Sequence, residues 1–179
     1  MPLSLHQASV AVFEQILGAL SGVLDKGEAY AAARKVDQAI LLRARLFPNM
    51  APFVWQVQMA CDLAKTCAAK LGGAPVTPLA DDQKTFADLK QRIADTLAAI
   101  RAVDHAAIEA AADATIDFKV GPMQARMKGA DYLLHFVLPN VMFHATTAYD
   151  ILRENGVEIG KPDFLGRVPG LTIMETAPA

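Results

Sequence analysis

The sequence predicts an all-α domain, a bundle of four long helices with a short β-hairpin before the last of them. Four long segments repeat apolar residues at steps of three and four, as a buried helical face requires. Between Thr115 and Lys128 the repeat changes to two. The fourth segment is apolar almost all round, so other helices must surround it.

The first helix is expected from Leu3 to about Lys26, with Leu5, Val12, Ile16, Ala19 and Val23 as its stripe and Gly27 as its stop. Gly18 and Gly22 lie inside it, costing helix propensity but leaving room for a close neighbour. A short helix from Asp37 to Leu46 ends at Phe47-Pro48, because the residue before proline avoids helical angles. Met50 to Leu71 is the second long helix. Phe53, Val57, Ala60, Ala64, Cys67 and Leu71 face inward, and Gly72-Gly73 closes it.

The third helix spans Asp81 to about Val103, with Phe86, Leu89, Ile93, Leu97 and Ile100 inward and Lys84, Lys90, Gln91 and Arg92 outward. Ile116, Phe118 and Val120 then alternate, Gly121-Pro122 turns the chain, and Met123, Ala125 and Met127 alternate on the way back. The fourth long helix lies between Gly129 and Gly156. Leu134, Leu138, Val141, Ala145, Ala148 and Leu152 make its buried face, with Leu133, Val137, Asn140, His144 and Ile151 on the flank. From about residue 157 the chain is an extended tail, broken by Gly160, Pro162, Gly166, Pro169 and Gly170. Phe164, Leu165, Leu171 and Ile173 predict that this tail lies against a surface.

A chain of 179 residues fits one domain over 1–179, and 53% hydrophobic with 20% charged residues is a globular balance, not a disordered one. Seventeen Lys and Arg against nineteen Asp and Glu supply no basic face for nucleic acid. Cys61 and Cys67 stand about 600° apart round their helix, which suits neither a disulfide nor a CxxC site; both read as reduced, packed thiols. No apolar run reaches the roughly 18 residues of a membrane span, and no signal-peptide pattern opens the chain. A cytoplasmic protein with no membrane partner is expected.

Asn140 and His144 carry the chemistry-grade signal, since residues four apart share a helical face. Gln56, at the edge of the inward stripe of the second helix, is the nearest partner on another helix, and Gln58 is expected outward. Zinc takes three or four ligands and prefers imidazole, thiolate or carboxylate to an amide. Gln56, Asn140 and His144 therefore read as a ligand pocket without metal or cofactor, or else as a core histidine bonded to an amide. No catalytic residue is assigned. His135 stands four before Pro139, whose missing amide predicts a kink, and it is out of phase with His144. His6, His105, Arg43 and Arg45 read as surface groups. Trp55 lies nearly opposite the inward stripe of its helix; with the apolar tail it predicts a homodimer through that outer face or through the tail.

The runs LSLHQASVAVFEQIL, ARLFPNMAPFVWQVQMACDLAK and DYLLHFVLPNVMFHATTAYDILRENGVEIGKPDFLG resemble the DinB/YfiT-like four-helix proteins, and more closely a bacterial group of unknown function within them. The resemblance spans residues 3 to about 166 and implies the DinB-like bundle. Metal-binding members hold a divalent ion with one histidine from the second helix and two, four apart, from the fourth. Aligning LR-x-x-G on Leu152 to Gly156 puts the last ligand on His144, with Asn140 and Gln56 where the others would be. The resemblance thus implies a degenerate, non-metal site. It leaves three readings: a small-molecule-binding bundle, a structural or interaction homodimer, and a divalent-metal-dependent thiol transferase or isomerase.

Overall fold

The computed structural model describes residues 4–174, so Leu3 and the ends of the chain lie outside it. Its long helices are α1 (Val12–Arg34), α3 (Phe53–Leu71), α4 (Phe86–Arg101) and α7 (Leu138–Glu154). Each packs on two neighbours in the cyclic order α1, α4, α3, α7. The core they enclose includes Phe13, Leu17, Phe53, Phe86, Leu133 and Leu152, all sealed from solvent. Short helices α2 (Gln38–Arg43) and α5 (His105–Ala110) sit in the connections, each N-capped by an aspartate, Asp37 or Asp104. The apolar periodicity of the sequence does not indicate α5.

A π-helical stretch, Gln7–Ala11, leads into α1. Glu109 of α5 holds its entry, accepting the backbone N–H of Leu5 at 3.1 Å and of His6 at 2.9 Å, together with the Ser4 hydroxyl. These bonds to the carboxylate pull Glu109 down to about 2. The expected stop at Gly27 is not one: α1 runs on to Arg34 and ends at Lys35 in the left-handed region. Gly27 instead admits the Phe86 ring, since a Cβ there would stand 2.9 Å from Phe86 Cε1. Gly18 and Gly22, expected to receive a close neighbour, have nothing within 4 Å. Contrary to the residue-by-residue expectation, Gln7–Arg34 is on average long and apolar enough to cross a membrane. More than half of its most apolar stretch is buried within the bundle, as in a core helix.

α4 starts at Phe86 rather than Asp81, because Thr85 and Asp88 close a reciprocal capping box that fixes the first turn there. The hairpin forms as expected from β1 (Thr115–Val120) and β2 (Met123–Lys128), antiparallel with Val120 opposite Met123. Ile116 and Phe118 face the core, and the Phe118 ring packs 4.8 Å from Tyr132 and 4.7 Å from Phe136.

Beyond the hairpin, a single turn, α6 (Gly129–Asp131), passes into a π-helical stretch, Tyr132–Val137, and then into α7. The Leu138 amide bonds the Leu133 carbonyl five residues back. This wider turn, a π-bulge, sits directly ahead of Pro139, where the kink is expected. It also rotates the register. Leu134, placed on the buried face by a constant helical period, is exposed, while Leu133 and Val137, placed on the flank, are fully buried.

The tail folds back on its own domain. It forms α8 (Lys161–Leu165) against α1, with Asp163 paired to Lys26 at 2.7 Å and the Leu165 carbonyl accepting from Gln15 at 3.0 Å. Phe164 packs against Tyr149, and Gly166 lies on Ala19.

Candidate functional site

Gln56 projects from α3 and His144 from α7, the two long helices with the most extensive mutual contact. Their side chains meet: His144 Nδ1 lies 2.8 Å from Gln56 Oε1. The amide of Gln56 is oriented by its other end, because Nε2 donates to the Ala51 carbonyl at 3.0 Å, and a carbonyl can only accept. Oε1 must then face the imidazole, and an acceptor there requires a proton on Nδ1. His144 is held as the Nδ1–H tautomer, with Nε2 left as a lone-pair acceptor.

Nε2 has no hydrogen-bond partner among the described residues. Among the described residues the fully sealed side-chain atoms without a partner are Arg92 Nε and Thr96 Oγ1, so Nε2 still touches solvent although His144 is only 7% exposed. Burial pulls the imidazole below its ordinary value and favours the neutral ring. Trp55 and Phe143 stand edge-on to that ring, each with centroids 5.2 Å away, and they are 38% and 55% exposed. Trp55, which sequence periodicity put on an outer interface, thus borders the candidate site, and Phe143 completes it. The adjacency of Phe143 and His144 in sequence was the available signal.

Asn140 lies one turn before His144, but its Nδ2 donates to the Phe136 carbonyl at 2.6 Å, a carbonyl at the end of the π-bulge. No hydrogen bond joins it to His144 or Gln56 among the described residues. His135 is exposed, 4.0 Å from Asp131, and makes no hydrogen bond to His144 among the described residues.

The donor set does not fit the divalent ion that metal-binding DinB-like proteins hold. Gln56 Oε1 is committed to Nδ1–H, which leaves the imidazole lone pair of His144 and the amide oxygen of Asn140, short of the three or four good ligands such an ion takes. Among the described residues no group of three His, Cys, Asp or Glu converges elsewhere. Cys61 and Cys67 are fully buried, and burial pushes the Cys61 thiol up to about 12 and Cys67 further still, so neither supplies a thiolate.

A second polar cluster lies on the other flank of α3. Arg92, expected outward, is buried. Its Nη1 donates to the Ala80 carbonyl at 2.7 Å and to Gln83 Oε1 at 3.0 Å, and its Nη2 pairs with Asp62 at 2.7 Å and Asp81 at 3.0 Å. Gln58, also expected outward, is buried and donates to Gln83 at 2.9 Å. α3 packs on α4 and α7 at once, so both of its flanks are covered, and the 79–83 segment closes over this one. The spacing Leu89, Arg92, Ile93, Thr96 set Arg92 on the edge of the inward stripe; its charge argued it outward.

Concave surfaces lie elsewhere. A groove of about 870 Å³ runs along α1 between Gly18, Gly22 and Arg101 on one side and Pro162 to Gly170 on the other. A recess of about 390 Å³ opens beside Arg92, Gln83 and Asp88. Neither touches Gln56, Asn140 or His144.

Comparison with known proteins places this geometry. The family model described as a domain of unknown function, DUF1993, matches residues 5–165. No curated protein matches. Among solved structures, a DinB family member protein from Shewanella denitrificans is 38% identical, covers 97% of this chain and 96% of its own, and superposes with a TM-score of 0.83. A hairpin ahead of the last long helix, a bundle in the order seen here and a family match across nearly the whole chain lead to one conclusion: this chain belongs to the DUF1993 family, a DinB-like domain of unknown function.

Proposed function

We propose that the protein is a binding module whose site is the Gln56–His144 pair, flanked by Trp55 and Phe143, and that it works without a metal. The observation that carries this is the fixed tautomer. Gln56 holds the Nδ1 proton, so Nε2 is a pre-oriented acceptor between two aromatic edges with access to solvent. Such a site takes a small molecule with one O–H or N–H donor beside an apolar or aromatic body. Asn140, one turn earlier, adds its free amide oxygen at the margin. The free, buried thiols agree with a cytoplasmic setting.

Saturation-transfer NMR with phenol, indole and benzoate tests the reading. Phenol and indole are expected to bind weakly to the wild type and to lose binding in His144→Ala and Trp55→Ala; benzoate, without a donor at neutral pH, binds less. Binding indifferent to both substitutions would remove the site from consideration. Stoichiometric metal in the purified protein, lost on His144→Ala, would overturn its non-metal character.

A second reading is favoured by the exposure of Trp55 and Phe143 on a face that neither of the two concave sites reaches, which suits a flat partner such as a second copy. In that reading the face of α3 and α7 that carries these rings joins two protomers. Light scattering would show a dimer reduced to monomer by Phe143→Asp, and a wild-type monomer at tens of micromolar would end this alternative.

A further inference from the structure

The groove along α1 has an open floor: no atom lies within 4 Å of where a Cβ would stand at Gly18 or Gly22. The tail forms its opposite wall and then reverses. Asp163 sits at Lys26 and the Leu165 carbonyl at Gln15, so the chain descends α1 from its C-terminal half towards its start. The Leu171 amide then donates to the Val168 carbonyl at 3.3 Å, and Gly170 takes φ +76° directly after Pro169. Proline followed by a glycine at positive φ is the pattern of a type II turn, which reverses the direction of the chain. The residues after it leave their apolar groups in water: Leu171, Ile173 and Met174 are 64%, 85% and 81% exposed.

We propose that residues 171–174 are a strap that closes over the α1 groove, placing Leu171 above Gly18 and Ile173 above Gly22. The spacings agree. Side chains two apart on an extended segment share a face at about 6.6 Å, and glycines four apart on a helix lie about 6 Å apart along its axis. Two of the three cations at the rim are neutralised, Lys26 by Asp163 and Arg101 by Glu14 at 2.5 Å, and Arg167, the third, stands on the tail wall itself. The occupant is the chain's own segment rather than a second copy, because the tether at Gly170, itself part of the groove wall, gives it the higher effective concentration.

A cysteine pair in the full-length protein tests the strap. Gly22→Cys with Ile173→Cys, mildly oxidised, is expected to form an intrachain disulfide, read by peptide mapping of the monomer band; Cys61 and Cys67 are buried and take no part. A covalent dimer overturns the proposal, as does a failure to cross-link while the thiol introduced by Gly22→Cys labels freely with maleimide. The unsubstituted chain supplies a second measurement. Leu171 and Ile173 methyl groups should show NOEs to the α-protons of Gly18 and Gly22, and these should be lost when Gly22→Val fills the space. Their absence from the wild type would overturn the strap independently of any variant.

Discussion

α3 carries a polar cluster on each flank, and the two solve the same problem differently. Towards α7, Gln56 and His144 are neutral, linked by one hydrogen bond, with an acceptor atom left at the surface. Towards α4, Arg92 is charged, sealed, and held at both Nη atoms by four oxygens from Asp62, Ala80, Asp81 and Gln83, with its Nε left unmatched. A buried charge must be surrounded by partners, because taking an unpaired ion out of water is too costly for a fold of marginal stability. A neutral ring can leave one atom unmatched at modest cost, provided that the atom reaches water. Architecture is therefore expected from the Arg92 flank and binding from the His144 flank.

The largest effect should separate them by stability. Arg92→Ala should cost about 2–3 kcal/mol in chemical denaturation, below the roughly 3–5 kcal/mol of a fully buried pair because Asp62 and Asp81 reach solvent. Arg92→Met, which refills the volume, should recover part of that loss. A wild-type midpoint in Arg92→Ala would mean that the guanidinium latches nothing.

Next in size is His144→Ala, at about 1–2 kcal/mol, because it leaves Gln56 Oε1 without its donor. The same ring supplies a pH dependence. Its pKa is lowered in the fold by burial, so below the unfolded value of 6.5 the unfolded chain binds the proton more readily. Stability from this residue is complete above about pH 6.5 and declines as pH falls towards the folded pKa. Denaturation at a series of pH values should show that decline in the wild type and lose its histidine component in His144→Ala. Nitrogen-detected NMR should find the Nδ1–H tautomer, and Gln56→Leu should abolish the preference.

The smallest effect sharpens the comparison from the other side. Thr96 Oγ1 is sealed, with no hydrogen-bond partner of ordinary geometry; the Cys61 thiol beside it is at most a weak one. Thr96→Val removes an unmatched hydroxyl with little change of shape and should be neutral or stabilising by up to about 1 kcal/mol. A large loss there would show that the hydroxyl has a partner and that the Arg92 flank is more completely matched than its geometry indicates.

Local periodicity by itself determined much of this protein. The steps of Phe53, Val57, Ala60 and Ala64, of Leu89, Ile93 and Ile100, and of Ile116 and Phe118 place a helix, a helix and a strand with their buried faces, because the side-chain period is set by backbone geometry alone. The same arithmetic brought Gln56 opposite His144. Tertiary structure decided what periodicity cannot carry. One π-bulge before Pro139 turned Leu134 outward and Leu133 inward, since a single extra residue per turn rotates everything ahead of it. Packing on both flanks of α3 buried Gln58 and Arg92, whose polarity argued for solvent until the 79–83 segment supplied their partners. Gly27 became a packing surface, not a terminus, because the Phe86 ring arrived from another helix. The His144 tautomer depends on the Ala51 carbonyl, an atom from a loop that carries no side-chain signal in the sequence at all.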